Sequence, residues 1–309
     1  PVLVSAPNPG YRRPPNPSPE GSARPRMAPI GIIIVFASVL GGYALAHGNF
    51  STLWQPVEMI IIFGAAIGAM VTSAPPKILK LIIGGFKTVF GGHLASKAEY
   101  LEILGCINAI LSKIRKEGLI SIEQDVENPT ASPLFKNFPA VLHNDHLLNY
   151  MTDNLKIISS TTIEAYRLDA LMELDSDANH HVELIPSVAI QKLGDAMPAL
   201  GIVAAVLGVV LTMGKIAEPP EVLGNSIGAA LVGTFLGILL SYGFFQPFST
   251  NIEYKVNDHG VAFTVVRVSF VAFINGSSPQ IAVEFGRRAI GGGDRPSFAE
   301  LEAYLREKK

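Results

Sequence analysis

Four membrane-length apolar stretches, grouped two and two around a long charged insert, constrain this chain more than any other feature. The first runs from about Ile30 to Ala46 and the second from about Val57 to Ser73, with His47-Gly48-Asn49-Phe50-Ser51-Thr52 between them. The third lies between Asp195 and Lys215, and the fourth between Glu221 and Glu253. Each offers roughly 18 or more residues, enough helix to cross about 30 Å of hydrocarbon. The first two are the shorter, and Gly31, Gly41 and Gly42 interrupt the first. The expectation is an all-α membrane protein: four transmembrane helices, a large helical cytoplasmic domain between spans two and three, and a cytoplasmic C-terminal helix. None of the four is read as holding an Asp or Glu within its core. A membrane machine built on them has to borrow its carboxylate from another chain.

Composition narrows the function. Hydrophobic content is 49%, charged content 16% and the formal net charge −2, so no bulk electrostatic attraction favours nucleic acid, and membrane lipid is the expected surroundings. The single cysteine, Cys106, sits beside Leu104 and Ile107 and reads as a small core residue. His143 and His146 share a helical face at i, i+3, yet no Cys or acidic ligand completes a metal set. No metal, no cofactor and no catalytic constellation is expected, so the chain is not read as an enzyme. Gly84-Gly85-Phe86-Lys87-Thr88 fails the spacing of a phosphate loop.

Residues 1–26 hold Pro7, Pro9, Pro14, Pro15, Pro17, Pro19 and Pro25 among Gly, Ser and Arg, which predicts a disordered leader; Met27 is a plausible native start. The remaining divisions are 27–75 for spans one and two, 76–197 for an interfacial helix and the cytoplasmic domain, 198–248 for spans three and four, and 249–309 for a cytoplasmic helical tail. Lys77, Lys80 and Lys87 follow span two and Lys255, Arg267, Arg287 and Arg288 follow span four, while the two short loops are nearly free of positive charge. Positive charge stays inside, so both termini and the insert are expected in the cytoplasm. After Pro75-Pro76, the run Lys77 to Ile83 predicts an amphipathic helix at the headgroup boundary.

In the insert, Tyr100, Ile103, Leu104, Ile107, Ile110, Leu111 and Ile114 recur at helical spacing and Gly118 supplies a stop. A second helix is expected over Leu134 to Ile158, and a third over about Thr161 to His180 whose Asp169, Glu173, Asp175 and Asp177 read as a solvated face. Small residues line span three at Gly201, Ala204, Ala205 and Gly208, and recur in span four as Gly224-x-x-x-Gly228 and Gly233-x-x-x-Gly237. Gly64-x-x-x-Gly68 repeats the pattern in span two. Such stripes let helix backbones approach closely in lipid. Pro198 reads as a first-turn proline, and Pro247, late in span four, must free the carbonyl four residues back.

The block Asp195-Ala196-Met197-Pro198-Ala199-Leu200-Gly201, continuing to Val210, closely resembles the third span of the MotA family of flagellar motor stator subunits. So does Leu231-Val232-Gly233-Thr234-Phe235-Leu236-Gly237, continuing to Phe244. Gly118-Leu119-Ile120-Ser121-Ile122-Glu123 to Pro129, and Ile281 to Arg288 continuing to Phe298, extend the resemblance, which runs from about Met27 to the end. It implies a ring of five copies around a MotB-like subunit whose membrane Asp takes and releases the ion, with the cytoplasmic domain pushing the rotor protein FliG. That matches the missing carboxylate. The resemblance further implies that Pro198 and Pro247 couple ion passage to conformational change and that Thr234 faces the ion path. Ala205 stands where sodium-driven relatives place a threonine, implying protons. Arg115 and Glu123 match the charged pair that engages the rotor. The related ExbB/TolQ envelope energisers are the alternative; they usually have three spans.

Overall fold

The computed structural model describes residues 27–91 and 94–308, so the Pro-rich leader lies outside the described residues. Within them the elements are helices and turns, with no strand. The chain runs through α1 (Met27–Leu45), α2 (Pro56–Ser73), α3 (Pro76–Gly91), α4 (Lys97–Glu117) and α5 (Asp145–Ser160). It continues through α6 (Ala165–Met213), α7 (Pro220–Leu240), α8 (Gln246–Ile274), α9 (Pro279–Ala289) and α10 (Phe298–Glu307). Four helical segments are long and apolar enough to cross a membrane: Met27–Leu45, Phe50–Ser73, Ala165–Met213 and Pro220–Ile274. The all-α architecture expected from the four apolar stretches is the one observed.

Two separate groups of buried side chains hold the chain together. The larger joins Tyr100, Leu104, Ile107 and Leu111 of α4 to Leu147, Met151 and Leu155 of α5, Val265, Val266 and Phe270 of α8, and Ala282 and Val283 of α9. Each fully buried aliphatic or aromatic side chain there contributes roughly 1.5–3 kcal/mol. The ends of α4 are fixed as the sequence reads them, by a Ser96/Glu99 capping box at the start and Gly118 at φ 86° at the stop. Cys106 is fully buried in this group and burial pushes its thiol up, which suits a core residue and not a nucleophile. The smaller group gathers Ile62 and Ala66 of α2, Ile82 of α3, Ile190 and Met197 of α6, and Phe245, Phe248 and Ile252 around the start of α8.

Several expectations need correction. The acidic third helix does not end at His180: α6 runs unbroken for 49 residues from Ala165 through span three. No stop signal intervenes, because Pro186 and Pro198 are both carried inside the helix, held there by packing against α3, α7 and α8. Pro198 is therefore an interior proline and not a first-turn one. Its acidic face is partly paired, Arg267 of α8 reaching Glu173 at 2.8 Å and Asp169 at 3.6 Å. The expected helix over Leu134 to Ile158 is three pieces, Pro133–Lys136, Pro139–Leu142 and α5, because Ser132, Pro139 and Asn144 each start a new helix. His143 caps one piece while His146 lies in the next, so they do not share a helical face.

The amphipathic helix α3 forms as read, but its apolar side divides: Ile82 is buried within the protein while Ile83 is 64% exposed. Gly85 lies against Pro186 of α6, which puts the glycine pair inside a packed helix and rules out a phosphate loop there. The last correction concerns charge. Glu58 occupies the first turn of α2, inside the second apolar segment, and is only 9% exposed.

Candidate functional site

Spans three and four meet backbone to backbone. A Cβ built on Gly201 of α6 would lie 2.7 Å from the Gly233 carbonyl oxygen and 3.0 Å from the Gly237 Cα. One built on Gly237 would lie 2.6 Å from the Met197 oxygen, and one on Gly208 would lie 2.7 Å from the Ala230 Cβ. Only glycine fits these approaches, so the stripe in span three and Gly233-x-x-x-Gly237 form one seam. Gly224-x-x-x-Gly228 takes no part in it: Gly224 has open space around it and Gly228 meets only the Thr52 methyl at 3.7 Å.

Two levels along this seam hold the four residues singled out for ion passage and coupling. At the first, Ala205 is buried and a Cβ on Gly233 would lie 3.1 Å from its backbone nitrogen, and Thr234, half-buried, is the next residue on the facing helix. At the second, the α6 backbone loses a helical hydrogen bond at Pro198, and Gly194, four residues before it, packs against the Phe245 and Gln246 side chains. The facing strand of backbone is irregular too. Residues Ser241–Phe245 form a π-helical turn immediately before Pro247, which stands in the first turn of α8. In that wider turn the Gln246 N–H donates to the Ser241 carbonyl, so the helix is already irregular where Pro247 would be expected to disturb it. Gln246 Nε2 donates to Asp195 Oδ1 at 3.1 Å, tying the two proline-bearing helices together.

Sequence reading missed the clasp below them. Ser187 Oγ donates to the Ser249 carbonyl at 2.9 Å and Ser249 Oγ donates to the Ser187 carbonyl at 3.0 Å, both buried. The partners are 62 positions apart, so no local pattern marks them. Further along, His259 of α8 lies 3.2 Å from Glu183 Oε2 of α6 through Nδ1, and 3.1 Å from Asn144 Nδ2 through Nε2. The Glu183 hydrogen bond raises His259 above its ordinary value against the opposing pull of burial. Burial also pushes Glu183 up, but the His259 hydrogen bond and charge outweigh it and leave that carboxyl lowered.

Arg115 and Glu123 lie elsewhere, at the tip of the insert. Arg115 is in the last turn of α4 and Glu123 opens the short helix Glu123–Glu127; both are exposed and neither forms an ion pair among the described residues. The turn between them is stiffened by the Ser121 hydroxyl donating to the Gly118 carbonyl at 2.6 Å. Behind it, Asp125 is buried and accepts from Lys113 at 2.7 Å and Ser132 at 2.6 Å. The exposed charges therefore stand on a fixed base.

Comparison with known proteins decides the relationship. Residues 29–118 match the profile for the Motility protein A N-terminal region, and residues 143–263 that for the MotA/TolQ/ExbB proton channel family. Over 280 residues the chain is 36% identical to Motility protein A of Escherichia coli (strain K12), covering 91% of this chain and 95% of that one. The chain belongs to the motility protein A family. Chemotaxis protein LafT of Vibrio parahaemolyticus is 31% identical over 91% of the chain and 98% of its own length. Among solved structures, that of C. jejuni MotAB matches with a TM-score of 0.73 at 19% identity, covering 88% of this chain and 98% of that one, which establishes the shared fold. As a motility protein A, the chain is a flagellar stator subunit of the proton-channel family, ahead of the envelope-energiser alternative. That role is non-enzymatic, and the four apolar helices make it a multi-pass inner-membrane protein.

Proposed function

We propose that this stator subunit conducts protons together with a MotB-like partner that supplies the membrane Asp, as a ring of five copies whose cytoplasmic domains push the rotor protein FliG. The observation that carries the reading is the glycine seam between α6 and α7, the helices that bear Pro198 and Ala205 on one side and Thr234 on the other, with Pro247 following at the start of α8. Two neighbours titled as MotAB complexes support a partner of that kind. Proton binding neutralises the partner's buried carboxylate and release restores its charge, a two-state electrostatic switch. Each charge moved supplies roughly 2.3 kcal/mol per 100 mV of membrane potential.

Roles divide along the seam. Thr234 offers a hydroxyl that can hydrogen-bond a hydrated ion or the partner carboxylate. Ala205 offers a methyl, which cannot ligate sodium, so protons are the fuel. Pro198 and Pro247 carry the change of shape, and both termini and the insert lie in the cytoplasm. Exposed, unpaired Arg115 and Glu123 suit a contact that orients the rotor and lets go at each step.

Swimming speed tests this in a flagellated host deleted for its own stator and expressing this chain with its partner. Speed should collapse with a protonophore and ignore sodium; speed that follows sodium and ignores the protonophore sinks the proton assignment. Charge reversal at Arg115 should stop swimming and be rescued by the complementary reversal on the rotor. If neither single reversal affects motility, that contact is misassigned.

A further inference from the structure

Glu58 is the carboxylate that the apolar spans were expected to lack. It lies eight residues in from Phe50, where the second membrane-length segment begins; α2 packs against α6 and α7, and the nearby Thr52 methyl meets Gly228 at the end of α7 remote from Pro247. Its Oε2 is buried and accepts no hydrogen bond. The ordinary use of a first-turn Glu is to accept from the free N–H groups of the helix start, and that oxygen does not. The neighbouring Gln55 amide, a ready donor, is turned instead to the Thr52 carbonyl at 3.1 Å.

No charge compensates it. Between Asp195 and Lys215, α6 has no titratable side chain, and α7 has none after Glu221. Lys215, Glu218 and Glu221 in the connection between those helices, and His47 in the first loop, are exposed, and none pairs with Glu58 among the described residues. A lone carboxylate cannot assemble the six or more oxygens that calcium or magnesium requires, and among the described residues no three His, Cys, Asp or Glu side chains gather for a metal. What a single buried, partnerless carboxyl can bind without leaving charge in hydrocarbon is a proton.

We propose that Glu58 is a proton-binding site at the loop-side mouth of the ion path, supplied by this chain itself. It takes a proton from hydronium in the loop-side water, forming one O–H bond and releasing water. It then gives that proton to water or a carboxylate further in, returning to the anion. The inference rests on the proposal that α6 and α7 line the path, and it adds an entry station upstream of the partner's Asp.

The test uses the complex with the MotB-like partner in proteoliposomes, comparing wild type, Glu58→Gln, Glu58→Asp and Thr234→Val. Proton flux at alkaline loop-side pH, where protons are scarce, should fall by roughly tenfold or more in Glu58→Gln, given what a positioned proton-transfer group contributes. The deficit should shrink as that side is acidified, and Glu58→Asp should recover part of the flux. Difference infrared spectroscopy of the 13C-glutamate-labelled complex should show a pH-dependent carboxyl band that Glu58→Gln removes. Flux unchanged in Glu58→Gln, or no band assignable to Glu58 in the wild type, overturns the site. The two readings fail separately. If Thr234→Val conducts normally while Glu58→Gln does not, the lining assigned to α7 is wrong and Glu58 stands; the converse removes Glu58 alone.

Discussion

Spans three and four touch through their backbones at Gly201, Gly233 and Gly237, whereas a Cβ on the glycines of spans one and two would meet no other helix among the described residues. Gly31, Gly41, Gly42, Gly64 and Gly68 all have open space where a Cβ would go, and α1 buries none of its residues. The lettering of the two pairs is alike and its use is opposite. In lipid, helices gain little from hiding apolar surface, so close packing has to come from shape. A small-residue stripe states that a helix can be approached; the facing helix states whether it is. Here α7 presents Gly233 and Gly237 to Gly201, while nothing in the chain is presented to Gly64 and Gly68.

Substitution at the seam breaks this comparison most severely. Gly237→Val drives a side chain into the Met197 carbonyl and the Gly201 Cα, and should destabilise the purified chain in detergent by about 3 kcal/mol, read as lost melting temperature together with lost motility. Next comes the serine clasp between α6 and α8. Ser187→Ala or Ser249→Ala alone should cost roughly 1–2 kcal/mol by leaving a buried partner unpaired. The double change should cost less than the sum in a double-mutant cycle; strict additivity would show that the two hydroxyls act independently.

A pH profile sharpens the contact between α6 and α8 beyond the clasp. With His259 raised above 6.5, its contribution is complete below 6.5 and is lost as pH climbs through the folded value. With Glu183 lowered below 4.5, its contribution is complete above 4.5 and is lost as pH falls through its own folded value. The melting temperature of wild type minus that of His259→Gln should therefore peak between pH 4.5 and 6.5 and narrow on the alkaline side. A difference that grows with alkalinity would mean that the pair is not formed. The smallest effect belongs to the open stripe: Gly68→Val should change the stability of the isolated chain by no more than about 0.5 kcal/mol. A loss equal to that of Gly237→Val would erase the contrast between the two pairs.

Much of the architecture was legible because it rests on local periodicity. The apolar spans and α4 follow from uncharged length and from the spacing Tyr100 to Ile114, with Gly118 as the stop. The continuity of α6 was not, because prolines and an acidic run read as punctuation while the packing that overrides them is tertiary. The π turn at Ser241–Phe245 has no spacing of its own that betrays it. Glu58 was visible and passed over, since one carboxylate scarcely lowers the average hydropathy of a long apolar stretch. Of the candidate site, Pro198, Ala205, Thr234 and Pro247 stood out through resemblance to a family, and their common seam emerged only once Gly201 met Gly233. Ser187 with Ser249 and His259 with Glu183 join residues far apart in the chain, and separations of that size leave no mark in a linear reading.

Helix α6 has one more consequence. At about 1.5 Å per residue, its stretch from Ala165 to Pro198 is roughly 50 Å of continuous helix leading from the apolar span into the charged insert. A reorientation of about 5° at Pro198 swings the far end by roughly 4 Å, the width of a side chain. The molecule needs no separate transmission: the beam that lines the membrane is also the arm that reaches out of it.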